Sequence, residues 1–235
     1  MKVLITTDSY SPVINGVVTS VLNLQKELII LGHDVKILTL SENRKFSRKA
    51  NVTYISSIGL GKIYPGARVA ISMKNKYSRE LCEWRPDIIH SQCEFSTFVI
   101  AHQLAKELGV PIIHTYHTVY EDYIHYYSPS KKIGKKAAAI FTAKVLKDTA
   151  CIIAPTEKVR SLLLKYGLNQ PIKVVPTGLD LTRFVSREQN DSNRILREKL
   201  GISINKNILV FVGRLAKEKN WKKSYNFYQK LKMII

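Results

Sequence analysis

Short apolar runs alternate with segments of helical periodicity along most of the chain. The first run, Val3–Ile5, ends in a polar loop, and Gly16 then opens a segment whose apolar residues recur every three or four positions. Strands are also predicted at 34–40, 52–55, 87–90, 110–116, 151–155 and 172–176, and helices at 69–83, 95–108, 131–148 and 157–166. No hairpin turns are expected. This alternation predicts an α/β fold with a parallel sheet, whose ligands gather at the carboxyl ends of the strands.

Gly16 stands where the first loop becomes a helix, directly after Asn15. A glycine there lets another molecule approach the backbone, and the free N–H groups of a helix start favour a phosphate. The alternative is an ordinary strand-to-helix turn that Asn15 caps. A single glycine matches neither the dinucleotide fingerprint nor a Walker loop. A phosphate bound here would therefore need positive charge from another part of the chain.

A second candidate phosphate-binding element lies near the end of the sequence. A buried strand is predicted at 207–213, and Arg214 and Lys219 follow it at the start of a predicted helix. A bidentate guanidinium and an ammonium on one turn suit a diphosphate. The polar segment before this strand lacks apolar periodicity apart from a short helix near 195–200. We therefore assign 167–205 to a connection between a domain at 1–166 and the start of a second domain at 206–235.

The loop after the predicted strand 110–116 contains His117, Glu121, Asp122 and several tyrosines. Such groups can orient the hydroxyl groups of a polar substrate and transfer protons. The alternative is a loop that only packs its aromatic rings, with His114 in the core. A metal site formed by His114 and His117 is not expected, because side chains three apart on a strand face opposite sides.

The chain is strongly basic, with a formal net charge of +19, and the charge is unevenly distributed. Bases predominate from Ser41 to Arg79 and again after Ser128, whereas the stretch between them is acidic. This asymmetry indicates attraction to an anionic surface, and a solvated basic surface is the alternative. Nucleic acid is not an expected partner, because no known binding motif accompanies the charge. The basic residues assigned to a membrane-facing surface are Arg68, Lys74, Lys76, Arg79, Lys131, Lys132, Lys135 and Lys136.

The three cysteines lack Cys-x-x-Cys spacing, so neither a disulfide framework nor a zinc site is indicated. No secretory leader pattern and no apolar run of about 18 residues is present. We therefore expect a cytoplasmic protein that is neither secreted nor membrane-spanning.

Five motifs, in their order and spacing, resemble the retaining glycosyltransferases of family four, which have the GT-B architecture of two Rossmann-like domains. They are TDSYSPVINGV at 7–17, HTVYEDY at 117–123, IIAPTEKV at 152–159, VVPTGLD at 174–180 and VGRLAKEKN at 212–220. Within that family the chain is most similar to bacterial diacylglycerol glucosyltransferases, which make glucosyl-diacylglycerol from UDP-glucose. The resemblance therefore implies a nucleotide sugar and a membrane lipid as substrates, with no cofactor and no metal. A lipid acceptor also implies a protein bound peripherally to the inner face of the bacterial cell membrane.

The resemblance also assigns roles to individual residues. Gly16 would offer its backbone N–H to the donor phosphate, and His117 would lie beside the transferred sugar. Arg214 and Lys219 would neutralise the diphosphate leaving group. On the acceptor side, the implied residues are Asn15, Glu121 and Asp122.

One family motif is missing from the sequence. In family four, a Glu-x7-Glu motif beyond the Arg/Lys turn holds the donor, but no acidic residue follows Glu218 here. The resemblance therefore implies a complete Rossmann-like acceptor domain, only the first strand–helix unit of the donor domain, and little turnover. The alternatives are a transferase for a polysaccharide or another lipid, and a non-catalytic module that binds membrane surfaces.

Overall fold

The computed structural model describes residues 1–60, 68–72, 76–126, 128–179, 181, 189–203, 205–208, 210, 212 and 221–232. The chain divides into two compact units, Met1–Leu179 and Asp180–Ile235. The division falls inside the segment 167–205 that was assigned to a connection. The assignment of three regions stays a prediction.

The first unit contains ten strands and five α-helices among its described residues. The strands are β1 (Lys2–Thr7), β2 (Asp34–Leu40), β3 (Ser47–Lys49), β4 (Val52–Ile55), β5 (Ser57–Gly59), β6 (Arg68–Ala70), β7 (Ile88–Ser91), β8 (Ile112–Thr115), β9 (Cys151–Ala154) and β10 (Ile172–Val174). The helices are α1 (Gly16–Ile30), α2 (Lys76–Trp84), α3 (Ser96–Leu108), α4 (Lys131–Leu146) and α5 (Glu157–Lys165), and a 3₁₀ helix spans Tyr120–Tyr126.

Eight of these strands form one sheet in the order β10-β9-β8-β7-β1-β2-β4-β3. All neighbours are parallel except β3 and β4. The predicted α/β fold with a parallel sheet is confirmed. From β1 the chain first proceeds to β2 on one side and later to β7 on the other. The carboxyl ends of β1 and β7 therefore form the switch point, where ligands of such sheets bind.

The side chains of β1 alternate between the two faces of the sheet. Val3 and Ile5 pack with Val21 of α1, whereas Leu4 belongs to the larger core that includes Phe98 of α3. All five side chains are buried. Because helices cover both faces, the central strands read as continuous apolar runs in the sequence.

Two antiparallel hairpins show that the expectation of no hairpin turns was wrong. β3 pairs with β4, and β5 pairs with β6. The helix predicted over 69–83 is also corrected, since its first residues form β6 and α2 begins only at Lys76. The segment pairs with β5, and the Ile71 N–H extends this pairing by donating to the Ser56 carbonyl at 3.0 Å. These strand hydrogen bonds outweigh the helical periodicity of the segment.

The guanidinium of Arg68 holds this small hairpin against the end of β2. Nε donates to Ser57 Oγ at 2.7 Å and to the Ser41 carbonyl at 2.9 Å, and Nη2 donates to the Glu42 carbonyl at 2.7 Å. This half-buried cation therefore serves the fold rather than the free basic surface to which the sequence assigned it.

The second unit contains two described helices, α6 (Gln189–Lys199) and α7 (Trp221–Lys232). The strand predicted at 207–213 is not formed by its described residues, Asn207, Ile208, Val210 and Val212, and its other residues lie outside the described ranges. A strand needs a neighbouring strand for its backbone hydrogen bonds, and the described part of this unit offers none.

Candidate functional site

Three polar loops leave the sheet at the carboxyl ends of β1, β7 and β8. The register places Thr6 of β1 beside Ser91 of β7, and Ser91 beside His114 of β8. The loops that follow therefore begin at one edge of the sheet. Together with His114 of β8 they contribute a cluster of buried or half-buried polar groups, which we call the switch-point cluster: Asp8, Gln92, Glu94, His114, His117 and Tyr120.

His117 is held at this edge by the side chain of Gln92. Nε2 of His117 lies 2.7 Å from Oε1 of Gln92, and the amide is 1% exposed. Burial lowers the pKa of His117 to about 4, although the nearby Glu94 carboxylate acts in the opposite direction. His117 is therefore neutral at pH 7, and a neutral imidazole suits a hydroxyl better than a phosphate.

Glu94, in the loop that follows β7, contacts both β8 and the loop that follows β8. Its Oε2 accepts from the Tyr120 hydroxyl at 2.8 Å, and its Oε1 lies 3.2 Å from His114 Nε2. The Glu94 and His114 side chains are 4% and 0% exposed. The His114 ring also meets the Phe98 ring edge to face. His114 is therefore buried in the core, as the alternative interpretation of this loop had it.

Asp8 connects the end of β1 to the start of α3. Its Oδ1 accepts from the backbone N–H of Thr97 at 2.8 Å, which satisfies one of the free donors in the first turn of α3. Desolvation raises the pKa of Asp8 to about 6; this hydrogen bond opposes the rise, and the Glu94 charge adds to it. The fold therefore favours the protonated carboxyl.

Replacing Asp8 with asparagine is expected to stabilise the protein at pH 7.5 but not at pH 4.5. The folded pKa of Asp8 lies above the unfolded value, so its unfavourable ionisation develops as the pH rises from about 4 to about 6. The cost above pH 6 is roughly 1–3 kcal/mol. Asparagine keeps an acceptor for Thr97 N–H and carries no charge. Urea unfolding of both proteins at the two pH values measures the difference.

The comparison at two pH values isolates Asp8 from the histidines. The depressed pKa values of His90 and His117, about 3 and about 4, make both proteins less stable as the pH falls below 6.5, and this contribution cancels between them. A stability difference that is the same at both pH values would contradict the prediction.

Asn15 and Gly16 start α1 at the same edge. Oδ1 of Asn15 accepts from the Val18 N–H at 2.8 Å, so the capping interpretation is correct for Asn15. Gly16 is exposed, and apart from its chain neighbours and the backbone of its own helix no described atom lies within 4 Å of the position that a Cβ would take. The space beside this backbone is open to a ligand. Its use by a donor phosphate stays a prediction.

The two carboxylates predicted on the acceptor side have different surroundings. Glu121 accepts from the Tyr166 hydroxyl at 2.9 Å, and its other oxygen lies 3.1 Å from Lys135 Nζ. It therefore joins the 3₁₀ helix to α4 and to Tyr166, which caps the end of α5. Asp122 is exposed on the same loop. The geometry leaves Asp122 freer than Glu121 to meet an acceptor, and both roles stay predictions.

Gly134 lets the 3₁₀ helix pack closely against α4. A Cβ at Gly134 would lie 2.4 Å from Cγ2 of Ile124 and 3.1 Å from Cβ of Ser128. Ile124 is buried, so it has little room to move away. The position of the loop that begins at His117 thus depends on this glycine.

Gly134→Ala is expected to destabilise the protein by about 1–3 kcal/mol, because overpacking outweighs the better helix propensity of alanine. Urea unfolding measures the loss. A matched control is Gly178→Ala, since a Cβ at Gly178 meets nothing within 4 Å. In the Ile124→Ala background the same Gly134→Ala change should cost less than it does in the wild type, because the shortened side chain leaves room for the added methyl. Equal stabilities for the two single variants would contradict the argument.

The outer face of α4 combines lysines with exposed isoleucines, and we call it the α4 surface. Its lysines, Lys131, Lys132, Lys135 and Lys136, are all exposed. Ile133 and Ile140 are 68% and 57% exposed. On α2, Lys76 and Arg79 are exposed as well. Lys74, Arg214 and Lys219 lie outside the described residues.

Sequence reasoning missed Gln92 and Glu94 as site residues. The signal that could have found them is their position, in a polar loop directly after a buried strand that pairs with β1. Their partners His117 and Tyr120 lie 25 and 26 residues further along the chain. No local pattern links residues at such separations.

A parallel sheet with this polar cluster at its switch point defines a doubly wound α/β protein, and this fold matches that of GT-B proteins. The profile of Glycosyltransferase Family 4 matches residues 14–183, and the chain belongs to this family. The family predicted from the sequence motifs is confirmed.

Two relatives and one solved structure illustrate the similarity. The chain is 34% identical to an alpha-monoglucosyldiacylglycerol synthase from Streptococcus pneumoniae and 31% identical to one from Acholeplasma laidlawii. Both alignments cover 94% of this chain, but 50% and 57% of the relatives, so the chain spans about half their length. A sucrose-phosphate synthase from Thermosynechococcus elongatus has the same fold, with a TM-score of 0.64, 14% identity, and coverage of 92% of this chain and 56% of that one.

Proposed function

We propose that the chain is the acceptor-side part of a glycosyltransferase that transfers glucose to 1,2-diacylglycerol in a membrane. The observation that carries the proposal is the neutral His117, held by Gln92 at the switch point, because this site suits hydroxyl groups. The relatives from S. pneumoniae and A. laidlawii are both alpha-monoglucosyldiacylglycerol synthases, which supports glucose and diacylglycerol.

The proposed donor is UDP-glucose, transferred with retention of configuration. Negative charge develops on the leaving diphosphate, and cations together with a helix start stabilise it. Arg214, Lys219 and the backbone N–H of Gly16 would take these roles. The open space beside Gly16 supports its part. With these groups present, we propose no metal and no cofactor.

The proposed location is the cytoplasmic face of the cell membrane. No helix in the described part of the chain is both long enough and apolar enough to cross a membrane. The α4 surface supports peripheral binding, because its lysines would attract anionic headgroups while Ile133 and Ile140 enter the interface. The same surface favours a second candidate function, a module that binds membranes without catalysis.

A chimera tests the proposed transfer. This chain is joined to the second half of the S. pneumoniae relative, and radiolabelled UDP-glucose is added with vesicles of diacylglycerol and anionic lipid. We expect labelled glucosyl-diacylglycerol from the chimera and little or none from this chain alone. A folded chimera that binds the vesicles but transfers no glucose would contradict the proposal. It would favour the second candidate function, a module that binds membranes without catalysis.

A further inference from the structure

Gln92 is a buried amide whose hydrogen bonds are incomplete. Its backbone N–H donates to the Thr6 carbonyl at 2.8 Å, which fixes the residue between β7 and β1. Its Oε1 meets His117 Nε2, whereas its own Nε2 has no partner among the described residues. A buried donor without a partner reduces stability. A residue that served folding alone would have both ends of its buried amide hydrogen-bonded, and Gln92, within the described ranges, does not.

The contact between the two side chains determines where His117 carries its hydrogen. An amide oxygen only accepts, so the ring nitrogen that faces it must be the protonated one. A neutral imidazole has one ring hydrogen, which leaves Nδ1 of His117 as an acceptor. Within the described ranges His117 has no other hydrogen bond. Nothing else there fixes its tautomer.

We propose that Gln92 is a positioning residue that holds His117 in the tautomer with hydrogen on Nε2, so that Nδ1 accepts a hydrogen bond from a substrate hydroxyl. Gln92 is itself too buried to contact a substrate and acts through His117. The substrate hydroxyl rests on the proposed function. The tautomer does not, because it is measured without substrate.

The titratable groups near His117 do not determine its tautomer in the way proposed for Gln92. Glu94 favours the protonated ring, and His114 disfavours it. Their effect is on the total charge of the imidazole, whereas the amide of Gln92 distinguishes one ring nitrogen from the other. The proposal therefore predicts that removing the amide of Gln92 changes the tautomer of His117 while the charge of the ring stays the same.

The tautomer can be read from the ring nitrogen shifts of His117 in the uniformly ¹⁵N-labelled chain at pH 7.5. The His117 signals are assigned by their loss in His117→Gln. We expect hydrogen on Nε2 alone in the wild type and a mixture of both tautomers in Gln92→Leu. Gln92→Glu offers an acceptor only, so it should keep the wild-type tautomer and make His117 titrate at a higher pH.

The stability of the same variants separates positioning from a structural role. Gln92→Leu removes an amide with an unpaired donor, so its urea midpoint should be equal to or above that of the wild type. The matched control is Gln170→Leu, because Gln170 Nε2 donates to the Leu146 carbonyl at 2.6 Å and to Thr149 Oγ1 at 3.1 Å. The control should lower the urea midpoint and leave the His117 spectrum unchanged.

Two results would overturn the proposal. One is a wild-type His117 with hydrogen on Nδ1, which would mean that the amide nitrogen of Gln92 faces the ring. The other is a Gln92→Leu variant that unfolds at a lower urea concentration while the tautomer of His117 stays the same. A failed sugar transfer by the chimera would contradict the proposed function without changing either spectrum.

Discussion

Glu94→Leu is expected to destabilise the protein by about 3–5 kcal/mol. The carboxylate accepts from Tyr120 and meets His114, and both the carboxylate and His114 are buried. Leucine would remove the acceptor of the Tyr120 hydroxyl and leave a charged or polar contact of the buried His114 unmade. Removing one member of a buried pair has an effect of this size. Urea unfolding at pH 7.5 measures the loss.

Conservative variants separate the role of the charge from that of the volume. Glu94→Gln keeps the shape and one acceptor oxygen, so we expect about half of the loss. The matched control is Glu80→Gln, because Glu80 pairs with Arg48 at 2.7 Å on the surface, with both side chains more than a third exposed. Exposed pairs contribute at most about 1 kcal/mol. Equal losses at positions 80 and 94 would contradict the importance of the buried network.

His117→Ala is expected to reduce glucose transfer by the chimera by about 100-fold or more, with little effect on stability. The ring is half-buried and its described hydrogen bond is to Gln92, so the fold gains little from it. A polar group that orients the reacting sugar contributes about this much to the rate. Initial rates at saturating UDP-glucose measure the effect.

The matched control for this variant is His102→Ala. His102 lies on α3 and meets Asp148 at 3.6 Å in an exposed pair, away from the three loops of the switch-point cluster. The control should transfer glucose at the wild-type rate. If both variants retain full activity, His117 does not lie beside the transferred sugar.

The sequence predicts the central part of the fold because the signals there are local. The apolar run of β1, the cap at Asn15 and the helical periodicity of α1 all lie within a few residues of the structure they specify. Strands covered on both faces read as apolar runs, so the parallel sheet could be predicted. The hairpin of β5 and β6 could not, because Arg68 must first reach Ser41 and Ser57 across the fold.

The candidate site is only partly predictable for the same physical reason. His117 can be found because it follows an apolar strand in a loop of polar residues. Gln92 and Glu94 gain their roles from His117, His114 and Tyr120, which meet them only after β7 and β8 have paired. The prediction for Glu121 could not include its bond to Tyr166, which lies 45 residues away.

The choice of acceptor by the chimera is the measurement that tests the central claim most directly. In the chimera the proposed acceptor side comes from this chain and the second half comes from the relative. The acceptor preference of the chimera therefore reports on this chain. Diacylglycerol vesicles, a second membrane lipid and a soluble polysaccharide compete for labelled UDP-glucose in one reaction. Our account predicts that nearly all the label enters glucosyl-diacylglycerol and that His117→Ala lowers the rate of this transfer by about 100-fold or more. Label that enters the polysaccharide or the second lipid instead would contradict it.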